Sequence, residues 1–305
     1  MSEELILDIY ACGWRLRTGL PLPGTIPFPE LAPGRPDVAF VAGTVVPLLP
    51  SPIVDVGTVQ IAADGTSLVL FEAGYFRVER NRVTCDLGVM PDSPELAPIV
   101  FGNILACLGM QHGRLPLHGS AVAADGRAIL LLGRIDAGKS ALAAALARAG
   151  HGVLADEVVL VSEGRCLPAG GPLHLADDML IAAGIDPAPL PQCEHFSQPR
   201  KRQWLGGAAP DARPYPIAAV ICLTKRDGAA TGQLTRLGPA AGLDAILDQV
   251  FWRDMLRLPA FEPGLRREAT ILAATAPIYA LSLPPDAGPL TDAAGLIAGL
   301  AGQTG

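Results

Sequence analysis

The period of the hydrophobic positions changes near residue 98. Before it, VDVGTVQIA, SLVLFEAG and YFRVERNRVTCDL are rich in β-branched and aromatic residues and are separated by turn signals such as ADGT and ERN. That is the pattern of short strands joined by turns. PLPGTIPFPELAPGRP is punctuated by Pro and Gly and reads as an extended connection. Residues 1–98 are expected to form a small β-rich N-terminal domain, and residues 99–305 a second, α/β domain.

A helix is expected over 95–111, where Ile99, Ile104, Leu105 and Leu108 fall near helical spacing. Then AILLLG is a short continuous apolar run, as a strand buried on both faces requires. SALAAALARAG is strongly helix-forming and ends at Gly150, a residue suited to the position just past a helix end. GVLADEVVLV reads as a second buried strand carrying two acids in its middle. Strand, Gly-rich turn, helix, strand is a phosphate-binding unit. Further on, PLHLADDMLIAAG suggests a turn and a short helix, and CEHFSQPRKRQWLGGAAPDARPYP an irregular, mobile loop. IAAVICLT and IYALSLP read as strands, PAAGLDAILDQVFWRDMLRL as a helix, and residues 293–301 as a closing helix.

Composition narrows the classes. Half of the 305 residues are hydrophobic and 17% are charged, enough for a sizeable core. Mean hydropathy is positive, +0.36, yet no apolar run approaches the roughly 18 residues of a spanning helix. The acidic start MSEELILDIY lacks the features of a secretory signal, so a cytoplasmic protein with no membrane partner is expected. A net charge of −7, with no basic run longer than RKR, argues against a nucleic-acid partner. The six cysteines are scattered without a C-x-x-C pair and read as reduced, mostly buried thiols. Cys193 and His195 stand close, but two ligands do not make a zinc site.

The chemistry is concentrated in GRIDAGKS: Gly133, Arg134, Ile135, Asp136, Ala137, Gly138, Lys139 and Ser140. It matches G-x-x-x-x-G-K-[ST] between an expected strand and an expected helix, the context that gives the motif its meaning. The glycines let backbone N–H groups turn inward around an anion, and the helix N-terminus adds partial positive charge. Lys139 reaches the β- and γ-phosphates, and the Ser140 hydroxyl is suited to a Mg²⁺ shell. These residues specify a nucleoside triphosphate, ATP in the simplest reading, without specifying a reaction.

Asp156 and Glu157 follow Lys139 by 17 and 18 residues, and His118, in LPLHGSAV, precedes it by 21. This combination of an upstream HG turn, a P-loop and GHGVLADE resembles the HPr kinase/phosphorylase superfamily over about residues 98–283. Within it, the chain is most similar to the HPr kinase-related proteins of lasso-peptide gene clusters, which phosphorylate a precursor peptide on its C-terminal serine. The resemblance implies an HPr kinase C-terminal-like fold, ATP and Mg²⁺, and a serine hydroxyl of a peptide or protein as acceptor. Glu157 would take the acceptor's proton, with its pKa nudged upward by neighbouring negative charge. Asp156 would hold the metal with Ser140, His118 would face the γ-phosphate, and Lys139 would neutralise developing charge. Hexameric members of the superfamily admit a homo-oligomer.

The chain carries Glu157 where the bifunctional enzymes carry Asp, and shows neither their phosphorolysis loop nor their second Mg²⁺ glutamate. Asp177 and Asp178 substitute for that glutamate by position alone. Kinase activity without the reverse reaction is therefore expected. RKRQW, at residues 200–204, is either a solvated loop or an anion clamp. A small-molecule kinase and a non-catalytic ATP-binding regulator stay open as alternatives; Glu157 and His118 favour an enzyme, because a pure binder needs no base beside the γ-phosphate.

Overall fold

The computed structural model describes residues 6–29, 35–193, 200–224, 233–282 and 290–302. Among them the chain forms a mixed α/β structure with three sheets. The first sheet is nine-stranded and runs from Leu7–Ala11 to Arg82–Leu87; Val38–Ala42 lies parallel to both of its neighbours, and the other pairings are antiparallel.

The second sheet is organised by two ten-residue strands, Leu115–Ala124 and Tyr215–Thr224. The first half of Leu115–Ala124 pairs antiparallel with Val158–Ser162. Its second half pairs with Arg127–Gly133 on one side and Gly152–Ala155 on the other. Tyr215–Thr224 likewise reaches Arg165–Leu167 at its start and lies parallel to Arg127–Gly133 and Ile278–Ser282 further on. The strand leading into the P-loop is thus central, and its side chains alternate between two cores. Ala128, Leu130 and Leu132 pack towards the helix at residues 96–111 and the first sheet. Ile129 and Leu131 pack towards the helices Lys139–Arg148 and Leu290–Gly302. AILLLG has no polar position because neither face meets water.

The helix after the P-loop ends as its sequence requires. Gly150 takes a left-handed φ of 97°, its N–H bonds the Ala147 carbonyl, and the N–H of His151 bonds that of Leu146. This paired arrangement satisfies the last carbonyls of a helix. Small residues on that helix, Ala141, Ala143, Ala144 and Ala147, are buried and let it approach the sheet closely.

Several elements differ from the sequence expectation. The helix at 95–111 is interrupted by a π-helical turn, Ile99–Ile104, between α-helical Leu96–Pro98 and Leu105–Gln111. The expected helix at 239–258 is α-helical only over Pro239–Leu247. Beyond it, Gln249 and Phe251 leave the helix to hydrogen-bond backbone groups of His118 and Pro116, and Trp252 has a positive φ of 55°. The helix Glu262–Thr275 had no counterpart in the sequence pattern. Finally, RKRQW is not a loop: Lys201–Trp204 is the central strand of a three-stranded sheet between Leu173–Ala176 and Gln192–Cys193. His195 lies outside the described residues. Cys193 is buried, with its thiol donating to the Pro94 carbonyl at 3.4 Å. No helix among the described residues is long and apolar enough to cross a membrane.

Candidate active site

The two acids do not sit in the middle of a strand. Gly152–Ala155 and Val158–Ser162 are separate strands, and Asp156–Glu157 is the bend between them. Both flanking strands pair with Leu115–Ala124, so the bend lies opposite Gly119 and Ser120, and Gly119 donates to the Glu157 carbonyl at 3.2 Å. Glu157 has a φ of 65°, a left-handed conformation that a side chain with a Cβ rarely takes and that is concentrated at functional sites. The expected HG turn is instead the middle of the strand Leu115–Ala124, and a Cβ at Gly119 would meet the Leu131 carbonyl at 2.7 Å, so the close backbone approach there requires glycine.

Asp156 is buried, and its carboxylate collects three donors. The Ser120 and Ser140 hydroxyls donate to Oδ1 at 2.5 and 3.0 Å, and the His174 backbone N–H donates to Oδ2 at 3.0 Å. Burial, followed by the charge of Glu157, nonetheless pushes its pKa up to about 6. Ser140 opens the helix after the loop, so this bond ties the phosphate loop to the acidic bend. The loop itself is tightly constrained. Gly138 adopts φ 93°, and a Cβ on Gly133 would stand 2.9 Å from the Leu223 carbonyl. Lys139 is buried, its ammonium donates to the Arg134 carbonyl at 2.9 Å, and burial lowers its pKa. Arg134, Ile135 and Asp136 are exposed on the loop's outer turn, and Ala137 is buried beneath it.

Glu157 is surrounded differently. Lys201 Nζ is 3.3 Å from Oε1 and His118 Nε2 is 3.9 Å from Oε2. Burial alone would raise the Glu157 pKa, but the Lys201 ammonium, with His174 and His118, outweighs it and the net shift is downward. The expectation of a raised pKa is therefore corrected: Lys201, with the two histidines, outweighs burial. Lys201 itself is lowered by burial but raised more by Glu157 and Asp156. His118 is pushed down to about 4 by burial and then by Lys139, so its ring is neutral at pH 7. Its ring meets Phe251 edge-on at 6.1 Å between centroids.

The structure thus brings together His118, Lys139, Ser140, Asp156 and Glu157 and adds Ser120, His174 and Lys201. It does not bring in Asp177, Asp178 or Arg202. Asp177 pairs with Arg202 at 2.7 Å, and Arg202 also bonds the Leu190 carbonyl. Asp178 bonds the adjacent backbone N–H of Met179. The cation that RKRQW delivers is Lys201, because the register Ala176↔Lys201 puts it at the start of its strand, beside the acids. Gly102, in the π-helical turn, backs the site: a Cβ there would be 3.9 Å from the Glu157 Cβ. π-turns recur at functional sites.

A Mg²⁺ ion, implied by the resemblance, fits these residues. The Ser140 hydroxyl and the Asp156 carboxylate already lie 3.0 Å apart at the loop exit, and a hydroxyl with a carboxylate is an oxygen donor set of the kind hard cations take.

No protein-family model and no curated protein matches the chain. Among solved structures, the Hpr(Ser) kinase/phosphatase from Coxiella burnetii aligns over 61% of this chain and 92% of its own, at 13% identity and a TM-score of 0.27. Both values are too low to assign an activity, so the functional reading rests on the geometry of the site.

Proposed function

We propose that the protein is an ATP-dependent phosphotransferase that phosphorylates a serine hydroxyl of a peptide or protein. The C-terminal serine of a lasso-peptide precursor is the acceptor that the sequence resemblance singles out. One observation carries the reading: a P-loop hydroxyl and a buried carboxylate share a hydrogen bond, and the next residue is a second carboxylate held at a positive φ. A nucleotide-binding protein without turnover has no use for that second acid.

In this reading the backbone of 133–140 and the N-terminus of its helix bind the β- and γ-phosphates. The Lys139 ammonium exchanges the Arg134 carbonyl for phosphate oxygens. Ser140 and Asp156 would hold Mg²⁺, which when bound neutralises charge on the phosphates. Glu157 accepts the proton of the acceptor hydroxyl as its oxygen bonds to the γ-phosphorus. The bond from that phosphorus to the β-phosphate bridging oxygen breaks, and ADP leaves. Lys201 keeps Glu157 ionised before the proton arrives. Neutral His118 donates a hydrogen bond towards the transferring group without adding a full charge.

The test is transfer of phosphate from Mg-ATP to peptides ending in serine, read by mass spectrometry, with Glu157→Gln alongside. The expected result is one phosphorylated peptide for the wild type. The variant is expected to bind ATP normally and to transfer about 10²–10⁴-fold more slowly, the usual contribution of a general base. Transfer undiminished in Glu157→Gln would remove Glu157 from the role of base, and ATP binding without transfer to any hydroxyl would leave a nucleotide-binding regulator.

A further inference from the structure

His174 is the residue that this mechanism leaves unexplained. It lies in the strand Leu173–Ala176, is 5% exposed, and neither ring nitrogen has a hydrogen-bond partner among the described residues. A buried imidazole without a partner costs free energy that the fold must recover elsewhere. Its neighbours on the strand, Leu173 and Leu175, are fully buried leucines in the core beneath the P-loop helix. Between them, on the other face of the strand, the imidazole offers a nitrogen to the acidic bend. One atom each from Asp156, Glu157 and His174 lie within 4.8 Å of one another. Ligands of one cation at about 2.1 Å stand about 3.0 to 4.2 Å apart, so the three atoms are gathered closely enough to converge on one ion by side-chain adjustment.

We infer that Asp156, Glu157 and His174 form a divalent-cation site with one nitrogen ligand, selective for a borderline metal such as Mn²⁺ or Co²⁺ over Mg²⁺. The site fills before nucleotide. Imidazole suits transition metals, whereas Mg²⁺ takes oxygen almost exclusively. Two carboxylates and a neutral nitrogen give the charge balance a dication needs, and the backbone N–H of His174 on Asp156 Oδ2 fixes the two ligands relative to each other. Lys201 is the internal cation that the metal displaces from Glu157. Its side chain is 31% exposed and has solvent to move into. When an acceptor hydroxyl engages Glu157, Asp156 and His174 retain the ion. The site rests on the phosphotransferase reading and deepens it by adding a cation distinct from the Mg²⁺ that accompanies the nucleotide.

Mn²⁺ binding to the nucleotide-free protein is the deciding experiment, measured by calorimetry and by electron spin-echo modulation, which detects a directly bonded nitrogen. The wild type is expected to bind Mn²⁺ at least tenfold tighter than Mg²⁺ and to show ¹⁴N modulation. His174→Gln, which offers an amide oxygen in a similar shape, is expected to lose the modulation and most of the preference while its thermal transition stays cooperative. If that variant does not fold, the wild-type spectrum decides alone. Bound Mn²⁺ without nitrogen modulation, or no Mn²⁺ binding in the absence of nucleotide, overturns the site whatever the phosphotransfer assay gives. Nitrogen-bound Mn²⁺ together with no phosphotransfer would uphold the site and count against the kinase.

Discussion

Asp156→Asn is expected to make the metal-free protein more stable, by an amount that grows between about pH 4 and 6 and is complete above that range. In the folded chain burial and Glu157 raise the carboxyl from its ordinary 3.8 to about 6. Between those values the folded protein keeps a proton that the unfolded chain has lost, so stability falls as pH rises through the window and stays lower above it. About two pKa units correspond to about 3 kcal/mol at pH 8. Asparagine removes that penalty without orphaning a partner. Its amide oxygen takes the His174 N–H, and its NH₂ faces the Ser120 and Ser140 hydroxyls, which accept as readily as they donate. For a chain of this length about 2 °C follows from each kcal/mol. Scanning calorimetry in EDTA should therefore show the variant melting about 5 °C above the wild type at pH 8 and within about 1 °C of it at pH 4. Groups that titrate in both proteins cancel in the comparison. A variant less stable at pH 8, or a difference equal at both pH values, would refute the assignment of strain to this carboxylate. In Mg-ATP the order should reverse, since ligand that binds only the folded wild type stabilises it by mass action.

Lys201→Met should tighten Mn²⁺ binding to the nucleotide-free protein, by about tenfold if the lost repulsion is about 1.4 kcal/mol, while moving the acidic limb of the pH–rate profile upward as Glu157 loses the ammonium 3.3 Å away; an unchanged limb would separate Lys201 from the base. In the first sheet, Arg17 and then Arg15 hold the Asp8 carboxyl down at about 2, against burial. Its stabilising effect is present above pH about 4 and lost as pH falls towards 2. The urea midpoints of wild type and Asp8→Asn should therefore converge on acidification. All six thiols are buried and burial raises their pKa values, so a colourimetric disulfide reagent should titrate none of them in the native protein within minutes and all six in denaturant.

The parts of the site that could be read from the sequence are those written contiguously. The P-loop needs only its own eight residues and the strand and helix that flank it. Ser120 was equally accessible: it stands two residues after His118 on one strand, and a period of two puts both side chains on the same face. His174 and Lys201 were hidden for a different reason. They meet the acids through the pairing of Leu173–Ala176 with Lys201–Trp204, across more than twenty intervening residues, and no local pattern gives that register. The one local hint was a histidine flanked by leucines in PLHLADD. The bend at Asp156–Glu157 was invisible because the residues on both sides are apolar and neither Gly nor Pro marks the break. The π-turn was hidden because Ile99, Ile104, Leu105 and Leu108 also fall near ordinary helical spacing. The overlong helix at 239–258 reflects tertiary override: backbone bonds to Pro116 and His118 draw Gln249–Phe251 off the helical path.

The long strand Leu115–Ala124 pairs with Arg127–Gly133, Gly152–Ala155 and Val158–Ser162, so the loop at 133–140 and its helix are held by strands of one large sheet, which Tyr215–Thr224 locks from the other side. The small sheet that supplies His174 and Lys201 belongs to the following segment and joins it by side-chain packing and a few backbone bonds. The two ends of the site therefore differ in cooperativity. The loop at 133–140 is held by the large sheet, whereas the wall beside the acids rests on the small one. The phosphotransferase proposed above would gain from that division, because its acceptor could exchange without releasing the donor.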